Sequence, residues 1–66
     1  MITLIAHKQP NLFDLCLEKE LMDAELDYDV SRENKYGLEL PLLVVDGVPL
    51  DLERAMKYIK ESSHNE

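Results

Sequence analysis

The stretch PLLVVDGVPLD, residues 41–51, constrains this chain more than any other. An apolar, β-branched run meets Asp46-Gly47 and is followed by a second short run. Asp-Gly is a preferred two-residue hairpin turn, so two short strands are expected on either side of it. Asp51 then stands as a natural N-cap for a helix, LERAMKYIKE, whose apolar face is Leu52, Ala55, Met56 and Ile59.

The first half of the chain supplies the partners for that hairpin. ITLIA, residues 2–6, is a continuous apolar run and reads as a buried strand. NLFDLCLEKELMDAEL reads as a helix, with Phe13, Leu17, Leu21 and Ala24 on its core face. Asp14, Glu18, Lys19, Glu20 and Asp23 are expected on its wet side. LDYDV, residues 26–30, alternates apolar and acidic residues and reads as an edge strand. SRENKYGLEL is polar, contains Gly37 and reads as a loop. The order is β-α-β-(loop)-β-β-α. The first two strands should run parallel through a right-handed crossover, with the hairpin strands antiparallel to them. Whether the helices share one face of the sheet is not decided by pattern.

Sixty-six residues make one domain with a thin core. We assign residues 1–61 to it and residues 62–66 to a frayed polar tail. One Cys excludes a disulfide within the chain, and no Cys/His cluster has zinc spacing, so no metal is expected. His7 and His64 stand far apart in the sequence. Stability must come from packing, and a homodimer is left open as a supplement. Pairing of edge strands would be opposed at neutral pH by Asp27 and Asp29.

Charge narrows the partners. Fourteen Asp and Glu against seven Lys and Arg give a net charge of −7. Phosphate binding needs a basic face, so neither nucleic acid nor an anionic membrane is an expected partner. The longest apolar run, PLLVV, is too short to span a bilayer, and no secretory signal is visible. The expected compartment is the cytoplasm, where a lone thiol stays reduced.

Three stretches carry a likeness to a known family. ITLIAHK resembles the first strand and lysine-bearing loop of the thioredoxin fold in its smallest, glutaredoxin-like version. AELDYDV resembles the end of its first helix and its second strand, and ELPLLVVDGVPLDLERAMKYI its third strand, hairpin and last helix. The resemblance implies a minimal thioredoxin-like α/β fold, with a four-stranded mixed sheet, two main helices and a second helix cut down to the loop from Ser31 to Leu40. It also implies a cis Leu40–Pro41 bond beside the site. The residue before that proline would pair its backbone with an extended substrate.

The departures from the family decide the functional reading. Glutaredoxins carry Cys-x-x-Cys or Cys-x-x-Ser where the first helix begins. Aligned from the first strand, this chain has PNLF there, Pro10 to Phe13; aligned back from Tyr28, it has NLFD, Asn11 to Asp14. The second register also matches Leu17 and Leu21 to buried family positions and is preferred; neither contains cysteine. The active-site-equivalent positions are therefore Asn11, Leu12, Phe13 and Asp14. The family's glycine pair before the last helix is replaced by Leu50 and Asp51, so glutathione is not expected and no cofactor is assigned.

The remaining candidates each carry a structural reading beside the functional one. Cys16 falls about a turn inside the helix, between Leu15 and Leu17, and reads as a small buried hydrophobe. Asn11 and Asp14 have the spacing of an N-cap and capping box. His7 has Asp14 available as a partner, but no nucleophile is placed for a triad. Lys8 matches a family lysine near the glutathione carboxylate and also reads as a surface lysine. Phe13 reads as core, with a contact near Pro41 as the alternative.

The expectation is a redox-inactive binding module without enzymatic activity. It meets an unidentified protein partner through the groove between Asn11–Asp14 and the cis-proline loop, by backbone pairing at Leu40 and apolar contact from Phe13 and Leu12, with Lys8, Leu40 and Pro41 on the groove side. The alternative is a thiol-disulfide oxidoreductase or glutathione-dependent protein that uses Cys16 as its catalytic residue.

Overall fold

A computed structural model describes residues 1–62 of the chain. Its elements are β1 (Ile2–Ile5), α1 (Leu12–Asp23), β2 (Asp29–Ser31), β3 (Leu42–Val45), β4 (Val48–Leu50) and α2 (Leu52–Ser62). The element order is the one read from the sequence. Ser62, assigned above to the tail, closes α2; His64 and the rest of that tail lie outside the described residues.

The four strands form one mixed sheet in the order β2-β1-β3-β4. β1 and β2 run parallel, with Thr3 opposite Asp29 and Ile5 opposite Ser31. β3 lies antiparallel to β1, with Leu4 opposite Leu43, and β4 antiparallel to β3. Of the two hairpin strands only β3 is therefore antiparallel to the first pair; β4 runs with it. The turn between them carries φ of 50° at Asp46 and 84° at Gly47, the positive pair that Asp-Gly accommodates. The Asp46 side chain also binds the Met1 ammonium at 2.7 Å, which ties the Ile2/Val45 end of the β1–β3 ladder.

Continuity of the apolar run in β1 has its cause in burial on two sides. Leu4 and Leu43 point to one face and join Leu17 and Leu21 of α1 and Ala55 and Ile59 of α2 in one core. Both helices thus cover the same face. Ile5, Leu42 and Val44 point the other way and are covered by Tyr36 and Leu40 of the loop. Seven large side chains are under 2% exposed, and six of them are Leu or Ile; the seventh is Asp14, whose partners are described below.

β2 starts three residues later than the run LDYDV predicts, and α1 explains why. The helix ends with Glu25 at φ 58°, donating to the Met22 carbonyl, and with the Leu26 N–H on the Leu21 carbonyl. These paired bonds are a Schellman ending. Leu26 packs on the core from that ending instead of from a strand. α2 begins at Asp51 as read: its Oδ1 accepts from the Arg54 N–H at 2.9 Å. Among the described residues, no helix is long and apolar enough to cross a membrane.

Candidate functional site

The start of α1 is fixed by a knot of hydrogen bonds on one carboxylate. Asn11 is the N-cap and accepts the Asp14 N–H through Oδ1 at 3.0 Å. Asp14 returns the bond, with Oδ2 accepting the Asn11 N–H at 3.1 Å, which completes a capping box. The same oxygen accepts the His7 backbone N–H at 3.1 Å and faces His7 Nδ1 at 2.9 Å; the other oxygen is 3.1 Å from Nδ1. An ionised carboxylate only accepts, so the proton on Nδ1 belongs to the ring. Arg32 then closes over His7, its Nη1 donating to the His7 carbonyl at 2.8 Å.

Asp14 was expected on the wet side of α1, and the structure overturns that. Its side chain is 2% exposed, with that of His7 at 38%. The polarity of the residue misled because its donors come partly from seven residues earlier, at the end of β1. Burial pushes the Asp14 carboxyl up. The His7 ring and the backbone N–H groups of Asn11 and His7 outweigh it and hold the carboxyl below the ordinary Asp value.

Phe13 and Cys16 need the opposite correction. Both were read as core, and both are exposed, Phe13 by 59%. Phe13 belongs to neither core cluster and lines a groove with the Leu40–Pro41 loop instead. Cys16 points outward with Leu15, while Asp14, Leu17 and Leu21 take the inner face. Apolar residues therefore occur all round α1, which hides its inner face from periodicity.

What Phe13 lies against is the Leu40–Pro41 loop. The Leu40–Pro41 peptide is cis, as the resemblance implied. Phe13, Leu40, Pro41 and Leu52 line a groove of about 200 Å³, with Glu39 and Asp51 at the same opening. Pro41 is buried and Leu40 half-buried. Among the described residues, no hydrogen bond of the turns, loops or caps uses the N–H or C=O of Leu40. The N–H and C=O of Leu40 are therefore open to pairing with an added chain.

The structure thus sorts the sequence-predicted positions into three groups. Phe13, Leu40 and Pro41 share the groove. Asn11 and Asp14 form the knot at the start of α1, with Asn11 Oδ1 and the Asp14 carboxylate already spent on the helix end and on His7. Leu12 (81% exposed) and Lys8 are exposed and lie outside the groove lining. Sequence reading missed Glu39 and Leu52 as lining residues, and took Asp51 as a cap and as half of the replaced glycine pair. The signal for Glu39 was its place directly before Leu40–Pro41.

A larger and more open hollow runs along α2, lined by residues of that one helix such as Met56 and Lys57. One helix face offers no converging groups. Among the described residues, no group of three or more His, Cys, Asp or Glu is placed to hold a metal ion. Comparison of the chain with protein-family models, with curated proteins and with solved structures finds no match.

Proposed function

We propose that the protein is a glutaredoxin-like binding module that moves no electrons and takes an extended segment of a protein partner into the groove beside Pro41. The observation that carries this reading is the unpaired backbone of Leu40 at the edge of an apolar groove completed by Phe13. Backbone pairing at Leu40 supplies affinity, and one apolar side chain of the partner fills the space between Phe13, Pro41 and Leu52. A groove of about 200 Å³ is below the roughly 300–1,000 Å³ of small-molecule sites. That size favours a single anchoring side chain over a cofactor.

Support for the thioredoxin-like reading comes from the strand order β2-β1-β3-β4 and the two helices on one face of the sheet. Where glutaredoxins hold a thiolate, this chain holds the Asn11–Asp14 capping box. A carboxylate fixed by four contacts stabilises the helix and supplies no thiol for disulfide exchange.

One observation favours the runner-up reading, an oxidoreductase using Cys16: the thiol is exposed. It lies in the second turn of α1, however, outside the groove lining, and its neighbour Lys19 is committed to Asp23 at 2.9 Å. Partner capture separates the two readings. Under the binding reading, Phe13→Ala and a Leu40 variant weaken capture of a partner, and Cys16→Ser leaves it unchanged. Disulfide-reducing turnover lost in Cys16→Ser, with capture indifferent to Phe13, would replace it with the enzyme.

A further inference from the structure

We infer that the segment taken by this groove is cationic, carrying one apolar side chain next to a Lys or Arg. The inference rests on the groove reading above and adds the chemistry of the occupant. Six residues line the groove: four are apolar, two are carboxylates, and none is basic. Glu39 is exposed and takes part in no hydrogen bond or ion pair among the described residues. Asp51 commits Oδ1 to the Arg54 N–H, and its second oxygen remains available. Two acceptors at the mouth of an apolar slot suit a side chain whose stem lies on apolar surface and whose head is positive.

The field of the whole chain acts in the same direction. A net charge of −7 attracts cationic segments and repels acidic ones before contact. Selection by charge then has an attractive part, at Glu39 and Asp51, and a repulsive part against any segment with Glu or Asp beside the anchor. Exposed pairs are individually weak, so the apolar anchor supplies binding and the carboxylates supply choice.

Fluorescence anisotropy on the full-length chain with four labelled, capped heptapeptides tests this. Three have a central Leu flanked by Lys, Ser or Glu; the fourth has Lys flanks and a central Ser. At low salt the Lys–Leu peptide is expected to bind about ten-fold more tightly than the Glu–Leu peptide, with the Ser–Leu peptide between them. The preference should shrink as salt is added. It should collapse in Glu39→Gln/Asp51→Asn, a double variant that keeps a good α2 cap because Asn caps as well as Asp.

Equal binding of the three Leu peptides, lost in Phe13→Ala, would overturn the cationic inference and leave the groove reading standing. Equal binding of the two Lys-flanked peptides would also overturn it, since net charge alone would then explain attraction. Binding of the Leu peptides that is absent, or unaffected by Phe13→Ala, would remove the groove reading and this inference with it.

Discussion

Asp14 Oδ2 lies 2.9 Å from His7 Nδ1, and this contact ties the end of β1 to the first turn of α1. Between them runs the loop that carries Lys8 and Pro10. The groove residue Phe13 sits next to the anchored carboxylate in sequence, so its position depends on the same tie. Replacing Asp14 with Asn keeps the shape and removes the charge. Asp14→Asn is expected to cost about 1–3 kcal/mol in urea unfolding at neutral pH, since His7 and Asn11 lose a charged acceptor. An unchanged midpoint would mean that the knot does not hold the fold.

The same carboxylate sets an acid limb. Its pKa is lower folded than unfolded, so the folded chain binds the proton less readily. The stabilisation is present above the ordinary Asp value of about 3.9 and is lost as pH falls through the lower, folded value. Stability measured from pH 6 downward should therefore fall more steeply in the parent than in Asp14→Asn. Parallel curves would contradict the assignment.

Asn11 acts only at the helix end. Asn11→Ala is expected to cost about 1 kcal/mol, and Asn11→Ser to restore most of it, because Ser also accepts the N3 N–H. Equal losses in the two variants would point to a role for Asn11 beyond capping.

Glu25 occupies a left-handed position, φ 58°, that closes the Schellman ending of α1. A side chain there costs about 1–2 kcal/mol in backbone strain, offset in part by the greater chain entropy of glycine when unfolded. Glu25→Gly should raise stability by roughly 0.5–1 kcal/mol, read as a higher denaturation midpoint with an unchanged slope. Destabilisation would mean that the Glu25 side chain makes a contact of its own.

Much of this architecture was legible because local chemistry and fold agree. Asp46-Gly47 has the backbone its residue types require, and Asn11, Asp14 and Asp51 are caps that the next few residues complete. The failures share a cause: each depended on a partner distant in sequence. Asp14 is inside because His7 reaches it from the loop after β1. Phe13 is outside because what it faces is Leu40–Pro41, 27 residues away by the numbering. Leu26 left the strand because its N–H serves Leu21. Cys16 was taken for core because α1 carries apolar residues on its outer face as well, Leu12, Leu15 and Met22 among them.

That outer position makes the thiol a probe. Iodoacetamide should label Cys16 in the native chain as readily as in urea, and Cys16→Ser should change stability by no more than about 0.5 kcal/mol. Protection until unfolding would put the thiol back in the core and α1 in a different rotation.

The central claim is that an extended segment pairs with Leu40 in the groove. The most direct test follows the Leu40 amide by NMR while the Lys–Leu heptapeptide is titrated into the labelled chain. We predict that the Leu40 amide shifts and gains protection from exchange, together with shifts at Phe13 and Leu52. A Leu40 amide that stays unmoved while the peptide perturbs the outer face of α1 or the length of α2 would contradict the account.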